Sequence, residues 1–467
     1  MTAQKSPANY QLPYPPLSEY ALIGDCHSSA LVSRWGSIDW CCMPKFDSDS
    51  CFGRLLDWEK GGFCLISPVQ PPDMMARKYL ENTMILETRF GSSSGEVRLV
   101  DLFTMRIGGR ENPYLQLLRI IEGVRGEMEL HMQVVPRFDH GETKPWIRCY
   151  EKGHYAAIGS DHGLVISSEV DLLLMRKHDL ESRVKVHAGD RIHLSVRFMR
   201  PENLDSDVPE RIDAGELDDR LKKTIEWWRD WAGRCRIRLS DGTSVKRSAL
   251  LLKALTNAQT GAIIAAPTAS LPETPGGSRN WDYRYSWIRD SCFAVRSLGV
   301  LGYEAEADGF RRFIERSAAG SADELQIMYG IGGERRLAEL SLDWLEGYRG
   351  VRPVRIGNQA YNQLQLDMYG ELLDLAWQWH KRGHRPEDEY WEFLVDLVEA
   401  AARRWQEPDC GIWEMRGARR HFVFSKAMCW LALDRGLRLA EAYNHSVPAK
   451  RWAETRDEIC AAIEAQG

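Results

Sequence analysis

The most informative segment of the sequence reads Gly276-Gly277-Ser278-Arg279-Asn280-Trp281-Asp282-Tyr283-Arg284-Tyr285-Ser286-Trp287-Ile288-Arg289-Asp290. It combines four aromatic residues, three arginines and two aspartates. Pro275 and the Gly276-Gly277 pair interrupt regular structure, so a loop is predicted to present these side chains. A helix is predicted to begin near Trp287, because apolar residues follow at helical spacing and Asp290 falls in the first turn.

The composition of this loop is typical of a sugar-binding site. Aromatic faces stack on the apolar C–H faces of a sugar ring, while planar Arg and Asp side chains fork onto pairs of hydroxyl groups. This mixture suits a carbohydrate better than a phosphate or a hydride donor. The alternative is a polar loop that Arg–Asp pairs and aromatic packing hold together.

The order of the residues adds a family resemblance. Asn280–Tyr285, followed by Trp287-Ile288-Arg289-Asp290, resembles the first active-site segment of glycoside hydrolase family 15, the glucoamylase and bacterial trehalase group. The resemblance implies that Arg289 and Asp290 grip the non-reducing glucose of the substrate. The pocket is predicted to be lined by four aromatic side chains, namely Trp281, Tyr285, Trp287 and Trp413.

A second informative segment lies at Pro408–Gly417, where Glu414 follows Ile412-Trp413. A carboxyl group against an indole loses hydration, which raises its pKa toward the value that a general acid needs. Glu414 is therefore the predicted proton donor to a glycosidic oxygen. The segment also resembles the general-acid region of the family. For an isolated glutamate the alternative is a surface salt bridge.

The remaining site assignments rest on the resemblance. It implies that Arg355 and Asn358 contribute to the sugar subsites. Glycoside hydrolysis with inversion at the anomeric carbon needs a second carboxylate, about 6.5–9.5 Å from the first, to activate water. In the family this base lies in a Glu-containing loop far along the C-terminal half of the barrel, and Glu346 does not match that motif. We expect the general base to be absent from this chain, which would then be C-terminally truncated relative to the family.

The first part of the chain shows strand periodicity. From Lys78 to about Phe198, apolar and polar residues alternate in short runs separated by turn residues, which predicts an antiparallel β-sandwich. Around Pro209–Trp231 the spacing becomes helical, which predicts a linker helix.

After Ser240-Asp241-Gly242 the sequence reads as about seven helices alternating with loops. The resemblance names this architecture an all-α, toroid-type (α/α)6 barrel, incomplete at its C-terminus. The predicted domains are a trehalase-like N-terminal β-sandwich at 1–207, a helical linker at 208–240, and the N-terminal part of the catalytic domain at 241–467.

Composition excludes several classes of protein. A net charge of −6 without a basic stripe argues against nucleic-acid binding. No apolar run is long enough to span a bilayer, so no membrane association is expected. The eleven cysteines lack a framework spacing and are read as reduced thiols of a cytoplasmic protein. Neither Cys-x-x-Cys nor His-Glu-x-x-His occurs, so no metal and no cofactor are expected. The sequence leaves open whether the chain forms a homo-oligomer.

These observations predict an inverting, exo-acting α-glucoside hydrolase of carbohydrate metabolism. The run from Tyr20 to Asp47 resembles the N-terminal domain of bacterial family 15 trehalases, which favours α,α-trehalose as the small-molecule substrate and glucose as the product. A glucoamylase-type (glucan 1,4-α-glucosidase) hydrolase acting on malto-oligosaccharides is the alternative enzyme. Two alternative hypotheses are not enzymatic. In these hypotheses, the chain is either a truncated, non-catalytic glucoside-binding remnant or a purely structural helical protein.

Overall fold

One antiparallel sheet system dominates the first part of the chain. The computed structural model describes residues 13–205, 207–237, 242–318 and 321–466. The strands of this system are β1 (Tyr20–Gly24), β2 (Ser29–Ser33), β3 (Ser37–Cys42), β4 (Ser50–Phe52), β5 (Phe63–Pro68), β6 (Met74–Tyr79), β7 (Leu86–Gly91), β8 (Gly95–Phe103), β9 (Gln116–Val135), β10 (Trp146–Glu151), β11 (His154–Gly159), β12 (His162–Ser168), β13 (Leu173–Met175), β14 (Asp179–His187) and β15 (Arg191–Phe198).

By spatial grouping the chain divides into two units. The first comprises Met1–Gln259, Ala266–Tyr283 and Leu340–Ile356, and the second comprises Thr260–Ala265, Arg284–Glu339 and Gly357–Gly467. The predicted boundary between residues 240 and 241 and the Pro-rich start of the chain, up to residue 12, lie outside the described residues. The domain boundaries at 207 and 240 therefore stay sequence-based predictions.

The 20-residue strand β9 joins two sheets of the first unit. Its N-terminal half pairs with β8 and β15, and its C-terminal half pairs with β5 and β14, always antiparallel. Side chains from both halves, among them Leu117, Ile121, Leu130 and Met132, belong to one buried cluster. The two sheets thus enclose a common core, and the antiparallel sandwich predicted from the period-two pattern is confirmed.

The helix Ala214–Ala232 packs on the outer face of one sheet. Because side chains alternate along a strand, Leu118 and Ile120 of β9 point away from the common core. They pack instead against Leu217 and Leu221. The helices of this unit are α1 (Glu202–Asp205), α2 (Ala214–Ala232) and α3 (Gly242–Ala254), and its short strands are β16 (Ala269–Pro272), β17 (Asn280–Asp282), β20 (Leu340–Ser341) and β21 (Arg355–Ile356). The helix predicted around 209–231 is α2, and it packs on the sheet.

A buried ion pair crosses the core of the sandwich. Arg119 faces inward from β9, and both it and Asp101 of β8 are fully buried. The Arg119 Nε donates to Asp101 Oδ1 at 2.7 Å. Its two Nη atoms donate to the backbone carbonyls of Cys64 at 2.6 Å and Gly36 at 2.7 Å. One guanidinium therefore ties together β8, β9, β5 and the turn before β3.

The second unit is helical. Its helices are α4 (Ile288–Leu301), α5 (Glu304–Ser317), α6 (Asp367–Lys381), α7 (Asp388–Arg404), α8 (Val423–Tyr443) and α9 (Ala449–Gln466), and its short strands are β18 (Ser286–Trp287) and β19 (Met328–Tyr329). The helix predicted to begin near Trp287 begins at Ile288. None of the helices in the described residues is both long enough and apolar enough to cross a membrane.

Alternate helices of this unit lie side by side. Helix α6 packs between α4 and α8, while α5 packs on α4, α7 on α6 and α8, and α9 on α8. The contact between α6 and α8 is close, because a Cβ at Gly370 would lie 2.4 Å from the carbonyl oxygen of Met428. Only glycine permits this approach. The sheet domain followed by a helical domain agrees with the predicted fold class.

The Arg119–Asp101 pair generates a stability prediction. Arg119→Met should lower the free energy of unfolding by about 3–5 kcal/mol, because it leaves the Asp101 carboxylate unpaired in the core. The double variant Asp101→Leu with Arg119→Met should lose much less, since no buried charge remains. Urea unfolding monitored by tryptophan fluorescence measures both. Equal losses in the single and double variants would contradict this account.

Candidate active site

The N-terminus of α4 presents the first group of candidate side chains. Strand β18 pairs with β19, and Trp287 precedes α4 with extended backbone angles of φ −80° and ψ 138°. The Trp287 ring is buried. Arg289 and Asp290 consequently occupy the first turn of the helix, as predicted for Asp290.

Glu414 lies within hydrogen-bonding reach of this turn. The indole Nε1 of Trp287 donates to Glu414 Oε1 at 2.6 Å, and Arg289 Nη2 lies 3.7 Å from the same oxygen. The Glu414 backbone has φ of 52°, in the left-handed region that side-chain-bearing residues adopt rarely. Gln363 Nε2 donates to the Glu414 carbonyl oxygen at 3.3 Å. The structure therefore brings Trp287, Arg289 and Glu414 together.

Burial is the main cause of the altered acidity of Glu414. Desolvation raises its pKa, and the nearby negative charge of Asp290 adds to this rise. The hydrogen bond from Trp287 and the positive charge of Arg289 act in the opposite direction without cancelling it. The net shift favours the protonated acid, in the direction predicted from the sequence.

The indole responsible is not the one predicted. Trp413 was expected to shield Glu414, but its side chain is 79% exposed. The ring that contacts the carboxyl group is Trp287, which is distant in sequence and buried. Adjacent residues in a tight turn direct their side chains differently, particularly when one has a left-handed backbone. Sequence adjacency was therefore a poor guide to this contact.

Arg289 is held by partners that the sequence analysis did not assign to the site. Its Nη1 donates to Asp367 Oδ2 at 2.9 Å and to Gln365 Oε1 at 3.0 Å, and Asp367 is only 1% exposed. Its Nη2 donates to the carbonyl oxygen of Ile412 at 3.4 Å. The guanidinium thus links the start of α4, the start of α6 and the loop that carries Glu414.

Asp290 differs from Arg289 in its surroundings. Its side chain is exposed, yet the protein around it desolvates the carboxyl group enough to raise its pKa. The charge of Arg289 opposes this rise. An exposed carboxyl beside a fixed guanidinium can accept hydrogen bonds from sugar hydroxyls.

Asp409 fixes the loop that carries Glu414. Its Oδ2 accepts from Ser425 Oγ at 2.7 Å and from the Leu366 backbone N–H at 3.0 Å. The backbone N–H of Cys410 donates to the Leu364 carbonyl at 2.9 Å. These bonds join the loop to the segment before α6 and to the first turn of α8, so Glu414 has a rigid support.

Glu371 is a titratable group that the sequence analysis missed. It lies on α6 one turn after Asp367 and is buried. Burial, together with the negative charges of Asp367 and Asp374, raises its pKa to about 7, while Arg289 and Arg296 oppose the rise. The spacing of acids at 367, 371 and 374 on a buried helix face was the available signal.

Two other predicted site residues, Tyr285 and Asn358, lie in the second unit. Tyr285 is buried, and its carbonyl accepts from the Ala265 N–H at 3.0 Å. Asn358 is buried, and its Oδ1 accepts from the Ala360 N–H at 3.0 Å and from Arg416 at 3.4 Å. These contacts are local to the second unit, and roles of Tyr285 and Asn358 in sugar binding stay predictions.

Trp281 and Arg355 belong to the first unit. There the Arg355 guanidinium lies 4.7 Å from the centre of the Trp281 ring, and it donates to the Ser278 carbonyl at 3.0 Å. Glu346, which the sequence analysis rejected as a base, also lies in this unit. It accepts hydrogen bonds from the Tyr14 hydroxyl and, at 3.3 Å, from the Trp58 N–H.

Both parts of the chain are similar to known glycoside hydrolases or to their N-terminal regions. The sequence profile of glycosyl hydrolases family 15 matches residues 241–467, and the profile of the trehalase-like N-terminal region matches residues 13–198. A trehalase from Mycolicibacterium smegmatis is 38% identical, with 97% of this chain aligned to 70% of that protein. A trehalase from Mycobacterium tuberculosis is 37% identical, with 97% aligned to 69%.

A more distant relative gives the same result. A trehalase from Thermoplasma volcanium is 33% identical, with 96% of this chain aligned to 70% of that protein. Similarity of this extent covers both the sheet unit and the helical unit. The chain therefore belongs to glycosyl hydrolases family 15, as the resemblance of its two active-site-like segments implied.

Proposed function

We propose that this chain hydrolyses α,α-trehalose with inversion and that Glu414 is the general acid. The observation that carries the proposal is the contact of a partly buried carboxyl group, 23% exposed, with the Trp287 indole and the Arg289 guanidinium. Family membership supports glycoside hydrolysis, and the trehalases among the relatives support the substrate.

The two carboxyl oxygens of Glu414 have different tasks. Oε1 accepts the Trp287 N–H, and Oε2 is the oxygen that we propose to carry the proton of the acid form. Because burial raises the pKa, this proton is retained to higher pH than on an ordinary glutamate. Transfer to the glycosidic oxygen makes glucose a competent leaving group. Arg289 and Asp290 are proposed to hold the glucose unit under attack.

Inversion makes a specific prediction for the products. Water attacks one anomeric carbon of trehalose and releases it as β-glucose, while the leaving glucose keeps its own C1–O bond and its α configuration. Early in the reaction, ¹H NMR should therefore detect α- and β-glucose in equal amounts. A retaining enzyme would release only α-glucose at first. Glucose release from maltose or maltotriose in preference to trehalose would favour the glucoamylase-type alternative.

The activating base is not among the residues that we assign. Azide needs no base, so it can replace water as the nucleophile. With trehalose and azide, the 467-residue chain should form β-glucosyl azide in a reaction that depends on Glu414. If neither glucose nor glucosyl azide forms, but trehalose still quenches tryptophan fluorescence, the chain is a glucoside-binding remnant. Without either response, the proposal fails.

Glu414→Gln should lower kcat by about 10²–10⁴-fold, because glutamine has the same shape but cannot supply a proton. KM for trehalose should change little. Glu407→Gln is the matched control, since Glu407 pairs with Arg404 at the surface. Steady-state glucose release measures both. Similar rates for the two variants would remove Glu414 from the mechanism.

Trp287→Phe should move the alkaline limb of the pH–rate profile to higher pH. The indole N–H stabilises the carboxylate, so its loss raises the pKa of Glu414 further and keeps the acid protonated over a wider range. Trp413→Phe, which alters an exposed ring, should leave the limb in place. A shift to lower pH in Trp287→Phe, or an equal shift in both variants, would contradict this assignment.

We also propose a cytoplasmic location. All eleven cysteines lie in the described residues as thiols rather than in disulfides, and most of them are buried, so the fold does not depend on disulfides. Such cysteine usage is ordinary in a reducing compartment. Fractionation of cells that express the tagged chain would test this.

A further inference from the structure

A histidine and two aspartates meet in the sheet unit, and none of the three belongs to the residues assigned to catalysis. They are Asp139, in the turn after β9, and Asp161 and His162, at the hairpin between β11 and β12. One ligand atom from each can be chosen so that all three lie within 4.8 Å of one another. We propose that these residues form a binding site for a divalent transition-metal ion such as Mn²⁺ or Zn²⁺.

The His162 ring is held in place by aromatic neighbours. It stacks on Phe138 at 5.4 Å between ring centres and meets the edge of Phe198 at 6.3 Å. Its side chain is only 6% exposed. The ring therefore cannot turn freely, and its Nδ1 atom is directed at the two carboxylates.

The hydrogen-bonding capacity of the His162 Nδ1 atom is not satisfied. It lies 2.7 Å from Asp161 Oδ1 and 3.9 Å from Asp139 Oδ1, yet it is buried and makes no hydrogen bond of acceptable geometry. A buried polar atom without a hydrogen bond is costly. A cation between the imidazole and the carboxylates would satisfy all three groups.

Asp139 is oriented by a second contact. Thr143 Oγ1 donates to Asp139 Oδ2 at 2.7 Å, so Oδ1 is the atom nearer to the imidazole. Hydrogen bonds of this kind fix the direction of metal-ligating carboxylates. Asp139, His140 and Gly141 all have positive φ, at 51°, 52° and 89°. This unusual turn returns the chain toward the hairpin.

The ligand set indicates the class of ion. Imidazole nitrogen with carboxylate oxygens suits Mn²⁺, Zn²⁺ or Fe²⁺, whereas Ca²⁺ and Mg²⁺ prefer oxygen ligands alone. Three protein ligands leave positions for water on the side of Asp161, which is 85% exposed. A bound ion would clip the turn after β9 to the β11–β12 hairpin, so it should stabilise the sheet unit.

Mn²⁺ is the suitable probe, because the cysteine thiols of the chain compete for Zn²⁺ more than for Mn²⁺. Titration of the EDTA-treated, 467-residue chain, followed by the loss of the free Mn²⁺ EPR signal, should show one saturable site. His162→Gln and Asp161→Asn should each weaken binding by at least about tenfold. Because Asp161 is exposed, Asp161→Asn tests the site even if His162→Gln fails to fold.

Two further variants sharpen the test. Thr143→Val should weaken Mn²⁺ binding by about ten- to a hundredfold, since it removes only the orienting hydrogen bond. His187→Gln is the control, because this exposed histidine lies beside Glu127 in the same unit. The proposal is overturned if no saturable site is found, if Asp161→Asn binds Mn²⁺ as wild type does, or if His187→Gln weakens binding equally. Tighter binding of Ca²⁺ than of Mn²⁺ would also overturn the assigned class of ion.

Discussion

The ion pair between Arg289 and Asp367 is the interaction on which the candidate site depends. Asp367 is almost completely buried at the start of α6, and it holds the guanidinium at 2.9 Å. The same guanidinium reaches the Ile412 carbonyl and lies near Glu414. A buried carboxylate without this partner would be strongly destabilising. The loop that carries Glu414 is thus positioned by the Arg289 guanidinium, which the buried Asp367 carboxylate needs as its partner.

A row of charges along α4 and α6 extends this arrangement. Asp374 pairs with Arg296 at 3.8 Å and with Arg435 at 2.8 Å, just as Asp367 pairs with Arg289. Glu371 lies between these two paired acids, and its pKa is raised to about 7. With this pKa the middle carboxyl is only partly ionised at neutral pH, which limits the negative charge close to Arg289. The Arg289 guanidinium pairs with Asp367 at 2.9 Å and lies 3.7 Å from Glu414.

The sequence predicted the layers of the fold better than the contacts within the site. Alternation along β9 and helical spacing after residue 242 predict the type of each element, and the described residues form the predicted strands and helices. The contact of Trp287 with Glu414 joins residues far apart in the sequence, and no periodicity encodes it. The alternation also concealed Arg119, which occupies an inward position of a strand that would ordinarily be apolar. Such polar pairs become visible only when both partners are placed in space.

The left-handed backbone conformation of Glu414 bears on whether this residue has a structural or a chemical role. A residue with a side chain in the left-handed region costs of order 1–3 kcal/mol, and glycine or asparagine would avoid most of this cost. Stability of the turn alone would therefore favour a different residue. The conformation of Glu414 is compensated by its bond to Trp287 and by the Asp409 bonds that hold its loop. Strain that neighbouring contacts sustain at an ionisable residue with a raised pKa supports the proposed role of Glu414 as general acid over that of a surface salt bridge.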